Sequence, residues 1–103
     1  MLPLIEAHRA EIAELCRRFH VRRLDVFGSA ARGTDFDPAR SDVDLLVTYE
    51  PGAARPSLEE HFGLRDALAS LFDRKVDLVM SGAVRNPFIR ANIERSKEIV
   101  YAA

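Results

Sequence analysis

Leu24-Asp25-Val26-Phe27-Gly28-Ser29-Ala30-Ala31-Arg32-Gly33, followed after a polar stretch by Ser41-Asp42-Val43-Asp44-Leu45-Leu46-Val47, decides how this chain folds. An apolar run ends in a small-residue turn, and a second apolar run opens on two aspartates one residue apart. The run from Val43 to Tyr49 is almost continuously apolar, which predicts a strand buried on both faces and therefore central. Val21 to Phe27 reads as a shorter strand that stops at Gly28-Ser29. Between the strands, Ala30 to Arg32 start a short helical turn. Gly33 to Arg40 is a loop in which Pro38 blocks a helix.

Outward from this pair, Pro3 to Phe19 reads as a helix, with Ile5, Ile12, Leu15, Cys16 and Phe19 near helical spacing and charged residues mostly opposite. Pro51 to Pro56 is a surface loop. Ser57 to Phe72 is a second helix, opened by Ser57 and Glu60 in capping-box spacing. Its buried stripe is Phe62, Leu64, Leu68, Leu71 and Phe72. Gly63 weakens it by roughly 1 kcal/mol relative to alanine and marks a close packing point. Lys75 to Met80 is a third strand. Asn86-Pro87 starts a short helix whose apolar side is Phe88, Ile89 and Ile93. Glu98 to Tyr101 can add a last edge strand. His8, His20 and His61 have no second ligand at metal spacing and read as surface or helix-end residues. Alternating helices and strands predict an α/β (α+β) domain, a small mixed sheet of three to four strands with helices packed against it. At 103 residues the chain holds one compact domain, 1–103.

Composition narrows the function. A net charge of -1 gives no basic field for nucleic acid, so no direct nucleic-acid binding is expected. The local Arg17, Arg18, Arg22 and Arg23 group reads as a solvated face. Cys16 is the single cysteine, so no disulfide framework or zinc cluster can form. It lies on the apolar stripe, as a core thiol would. No stretch approaches the ~18 apolar residues of a membrane span, and the N-terminus lacks the pattern of a signal peptide. A cytoplasmic protein without membrane contact is expected.

The chemistry lies in the carboxylates and the turn. Asp42 and Asp44, two apart on a strand, share a face. Their repulsion and lost solvation would be offset by a hard divalent cation, and Mg²⁺ prefers oxygen ligands. Asp77 lies inside the apolar run Val76 to Met80 and needs a partner there. If its strand pairs beside Val43 to Val47, three carboxylates converge, enough for two Mg²⁺ ions roughly 3.5–4 Å apart. Asp25 and Asp73 compete for the third place; Asp77 is preferred. Gly28 can take a positive φ and let a phosphate approach the backbone. Ser29 adds a hydroxyl, the following turn offers free N–H groups, and Arg32 can bring positive charge. Ser41 can orient the Asp42 loop.

Gly28-Ser29, a short spacer, then Ser41-Asp42-Val43-Asp44 before an apolar strand resembles the nucleotidyltransferase superfamily that includes DNA polymerase beta. Asp77 matches that family's third carboxylate by order and context. Ala30-Ala31-Arg32-Gly33 and Leu45-Leu46-Val47 look like the small stand-alone branch, the minimal nucleotidyltransferases (MNT), and the resemblance spans nearly the whole chain. It implies a nucleotidyltransferase fold, ATP bound through Gly28, Ser29, Arg32 and Ser41, and two Mg²⁺ ions held by Asp42, Asp44 and Asp77 as the catalytic and metal-binding set. It further implies an antitoxin that adenylylates a protein acceptor, a tyrosine of a partner HEPN-domain ribonuclease toxin. Two alternatives stand beside it: a non-catalytic antitoxin that neutralises by contact, and nucleotidyl transfer to a small molecule. The chain is too short for an added acceptor-holding domain, which favours a protein acceptor.

Overall fold

The computed structural model describes residues 3–28, 42–51 and 56–103. Among these, strands β1 (Val21–Phe27), β2 (Val43–Tyr49), β3 (Val76–Met80) and β4 (Glu98–Ala102) form a four-stranded sheet in the order β3-β2-β1-β4. β2 is interior, as its apolar run requires, and β4 is an edge. β1 pairs antiparallel with both β2 and β4, while β2 and β3 are parallel. A parallel pair needs a crossover. The helix α3 (Leu58–Phe72) supplies it. The sheet is therefore mixed.

One face of the sheet carries the core. Val21, Leu24 and Val26 of β1, Val43, Leu45 and Val47 of β2, Val76 and Leu78 of β3, and Val100 of β4 are buried together. Helices close over them: Ile5 from α1 (Pro3–Glu6), Ile12 and Cys16 from α2 (Arg9–Arg18), and Leu64, Leu68 and Phe72 from α3. Each such aliphatic side chain contributes about 1.5–3 kcal/mol through burial. Cys16 is a core thiol as expected, and burial pushes its pKa up to about 12.

Several expectations change at their edges. The first helix is interrupted at Ala7 and His8: the His8 N–H reaches back only to the Ile5 carbonyl, at 3.1 Å, before α2 begins. Phe62 is 44% exposed rather than on the buried stripe, with the Arg65 guanidinium over its ring at 4.6 Å. His61 takes the inward place instead and is buried, three residues before Leu64 on one helix stripe. Burial is tolerable because both ring nitrogens are satisfied. Nε2 faces the Leu78 carbonyl at 3.1 Å and so must donate, which leaves Nδ1 to accept from the Tyr49 hydroxyl at 2.8 Å. Burial, with the nearby Glu60 charge, pushes the Tyr49 phenol up to about 12.

The caps follow the sequence. Ser57 Oγ accepts from the Glu60 N–H at 3.1 Å, and Asp73 ends α3 in the left-handed region at φ 52°. Asn86 Oδ1 accepts from Phe88 and Ile89 N–H groups at 2.9 and 3.4 Å, starting α4 (Pro87–Ser96) on Pro87. α4 buries Ile93 but leaves Phe88 and Ile89 exposed, contrary to the expected apolar side, because it flanks the polar face of the sheet rather than the core. No helix among the described residues is long and apolar enough to cross a membrane.

Candidate active site

The second face of the sheet is polar because the strands alternate. On β2, the odd positions 43, 45 and 47 enter the core, so Asp44, Leu46 and Thr48 point the other way, continuing the face of Asp42. Register fixes what stands beside them. Asp44 is the partner of Phe27 on β1 and of Asp77 on β3. Directly opposed residues share a face in either kind of ladder, so Asp77 projects beside Asp44, about 4.8 Å away between strand axes. Asp42 precedes Asp44 by one full pleat and is half-exposed, with Lys75 Nζ 3.8 Å from its Oδ2. Asp77 is exposed, though its strand neighbours Val76 and Leu78 are buried. It is thus not the trapped core carboxylate that the apolar run suggested. It is the outward member of an alternating strand.

Of the two expected rivals for the third place, one stands at a helix end and the other in an ion pair. Asp73 caps α3. Asp25 shares the polar face, opposite Leu46, but is 1% exposed and ion-paired, with Arg23 Nε 3.0 Å from each of its oxygens. As the side chains are placed, no three histidine, cysteine or carboxylate groups among the described residues stand close enough together to hold a metal ion. The donor set still fits Mg²⁺: all-oxygen, on adjacent strands, and accessible to solvent.

Gly28 ends β1 beside these carboxylates. Its φ is +70°, a region that favours glycine. A Cβ built there would lie 2.7 Å from Asp44 Oδ2, so only glycine lets the turn close against that carboxylate. The Gly28 N–H donates to Ser96 Oγ at 3.3 Å, and the Ser96 hydroxyl donates to the Asn92 carbonyl at 3.1 Å. The end of α4 therefore braces the turn. Ser29, Arg32 and Ser41, with the helical turn and loop expected over 30–40, lie outside the described residues.

Behind the carboxylates, further along β1 and β2, a cleft of about 360 Å³ opens between the polar face, the 3-10 turn Ser81–Ala83 and α4. Arg23, Asp25, Leu46, Thr48 and Ile93 line it. Sequence reasoning placed Arg23 on a solvated face and gave Ser96 no role. The Arg-x-Asp spacing of Arg23 and Asp25, i and i+2 on a strand, is the signal that could have found the pair. Nothing in the sequence singles out Ser96.

Comparison with known proteins gives the family. The model of the nucleotidyltransferase domain family matches residues 10–100. The protein adenylyltransferase MntA of Thermococcus cleftensis is 36% identical over 98 residues, covering 95% of this chain and 88% of that protein. A solved chain assigned as a minimal nucleotidyltransferase superposes with a TM-score of 0.72 at 35% identity, covering 90% of this chain and 89% of the other. The complex of a tri-AMPylated Shewanella oneidensis HEPN toxin with its MNT antitoxin contains a chain that superposes with a TM-score of 0.67, covering 96% of this chain and 73% of the other. At 19% identity, that last likeness is one of fold. With a family match over most of its length and a curated relative above 30% identity, the chain belongs to the nucleotidyltransferase domain family.

Proposed function

We propose that this chain is a Mg²⁺-dependent protein adenylyltransferase, an antitoxin that moves AMP from ATP to a tyrosine of a HEPN-domain toxin. The observation that carries the reading is the register Asp44↔Asp77, which sets two carboxylates side by side on the face of Asp42, with Gly28 packed against Asp44. A relative named as a protein adenylyltransferase and an MNT antitoxin of the same fold solved with an AMPylated toxin support it.

Asp42, Asp44 and Asp77 are the carboxylates that would hold Mg²⁺, which when bound supplies positive charge for the triphosphate and the attacking oxygen. Gly28, Ser29, Arg32 and Ser41 are the residues that would bind the triphosphate. Gly28 gives the backbone close access, and the other three offer hydroxyl and guanidinium donors. The domain is 1–103, and a single buried, reduced cysteine suits the cytoplasm.

The test is the intact mass of the co-purified partner with ATP and Mg²⁺. The partner should gain AMP units. Asp44→Asn should slow that gain by at least about 10³-fold without moving the melting temperature. A partner that gains no mass sinks the proposal. Full neutralisation of the toxin by Asp44→Asn would instead assign the antitoxin effect to contact.

A further inference from the structure

The turn at Gly28 and the carboxylates lie together at one end of the strands, and the cleft lies further along them. On β1 the order is Arg23, Asp25, Phe27, Gly28; on β2 it is Thr48, Leu46, Asp44, paired against them. Phosphoryl transfer places the attacking and leaving oxygens roughly in line through phosphorus. If pyrophosphate departs past Gly28, the in-line acceptor enters from the opposite direction, along β1 and β2 away from the turn. The cleft stands on that side.

Its chemistry narrows the occupant. Leu46, Val84 and Ile93 supply apolar walls, Thr48 and Ser81 supply hydroxyls, and Arg90, Glu94 and Lys97 add charge from α4 and its end. Arg23 is held in place through Nε by the buried Asp25, and among the described residues its other guanidinium nitrogens bond to nothing. Its side chain is 40% exposed. A fixed guanidinium plane beside apolar walls suits an aromatic ring. The cleft floor at Asp25 and Leu46 lies two residues, about 7 Å, from Phe27 and Asp44. A phenol spans that distance, and a serine hydroxyl does not.

We propose that this cleft receives the acceptor's tyrosine ring, stacked on the Arg23 guanidinium that Asp25 positions, with its hydroxyl directed at the carboxylates. This rests on the adenylyltransferase reading above. In the step it serves, the phenol oxygen bonds to the α-phosphorus of ATP. The bond from that phosphorus to the bridging oxygen breaks, and pyrophosphate leaves with the electron pair. The phenol proton passes to solvent.

Two measurements test it. The first needs no turnover: N-acetyl-tyrosinamide is titrated into isotope-labelled protein and backbone amides are followed. Those of Leu46, Thr48, Gly82 and Ile93 should shift, while those of Leu15 and Ser70 on the far side should not. A Cβ at Gly82 meets nothing within 4 Å, so Gly82→Trp can fill the mouth of the cleft without backbone strain, and it should abolish the shifts. The second is kinetic. Gly82→Trp and Arg23→Lys, which keeps a cation for Asp25 but loses the plane, should raise KM for the partner about 5–10-fold, with KM for ATP unchanged. Absent shifts, or shifts that survive Gly82→Trp, overturn the proposal. So does a rise in KM for ATP, which would give the cleft to the nucleotide. A wild-type protein that binds the probe in the cleft yet transfers nothing would defeat the adenylyltransferase reading and leave the aromatic site standing.

Discussion

The two faces of the sheet are made from the same strands and behave as different materials. Along β2, Val43, Leu45 and Val47 enter a core closed by α1, α2 and α3, while Asp44, Leu46 and Thr48 meet a face flanked by α4. The core face is apolar and its buried histidine is fully hydrogen-bonded. The other face carries Asp44 and Asp77 on paired strands, Asp42 one pleat on, and a buried ion pair behind them. Stability and chemistry are thus separated by a single residue of alternation. A register slip of one would exchange them, and the buried side fixes the register.

That separation predicts a double dissociation. Leu64→Ala, in the core, should cost about 2–5 kcal/mol in urea unfolding, while the folded fraction keeps its adenylylation rate. A large loss of rate per folded molecule would break the contrast between the faces. Alkali should act on the core face too. Free thiols ionise near their ordinary value of 9.0, but Cys16 holds its proton up to about 12. Between those values the unfolded chain binds fewer protons than the folded one, so stability falls as pH rises, by at most about 4 kcal/mol. Urea midpoints from pH 8 to 12 should show the decline, and Cys16→Ala should lessen it, leaving the part that Tyr49, likewise pushed up to about 12, contributes above pH 10. On the polar face, Gly28→Ala should cost only about 1–2 kcal/mol of stability for its left-handed backbone. It should lower transfer about 10²-fold, because the new methyl displaces the Asp44 carboxylate. A variant with normal turnover would show that Asp44 tolerates displacement. The smallest effect belongs to Phe88, 80% exposed on α4: Phe88→Ala should move the melting midpoint by no more than about 0.5 kcal/mol in free energy.

Much of this arrangement was legible in the chain. Periodicity placed β1, β2, β3 and α3 almost to the residue, because each strand carries a side that must be buried. Asp42 and Asp44 could be placed on one face from spacing alone. Asp77 could be named only by order, since its place beside Asp44 is a matter of strand pairing between distant segments. Asp25, its rival, stands on the same face further along β1, ion-paired with Arg23. His61 and Phe62 were exchanged: adjacent positions on one helix differ by the direction in which the crossover leans, and local sequence does not carry that direction. The exposure of Phe88 and Ile89 was missed for the same reason. An apolar stripe reports that a helix has a face, not which surface it meets.

The pairing of β4 with β1 has a consequence for how the molecule comes into being. On the ribosome, residues up to 80 emerge before the rest and can assemble β1, β2, β3 and most of the core. Ser96, which braces Gly28, and strand β4, which borders β1, follow later. The pairing of Asp44 with Asp77 can therefore form on a nascent chain before Gly28 is braced by Ser96 and the cleft is walled by α4. Domains that join early and late segments fold slowly. Here that lag would keep a half-made enzyme from acting until its last strand is in place.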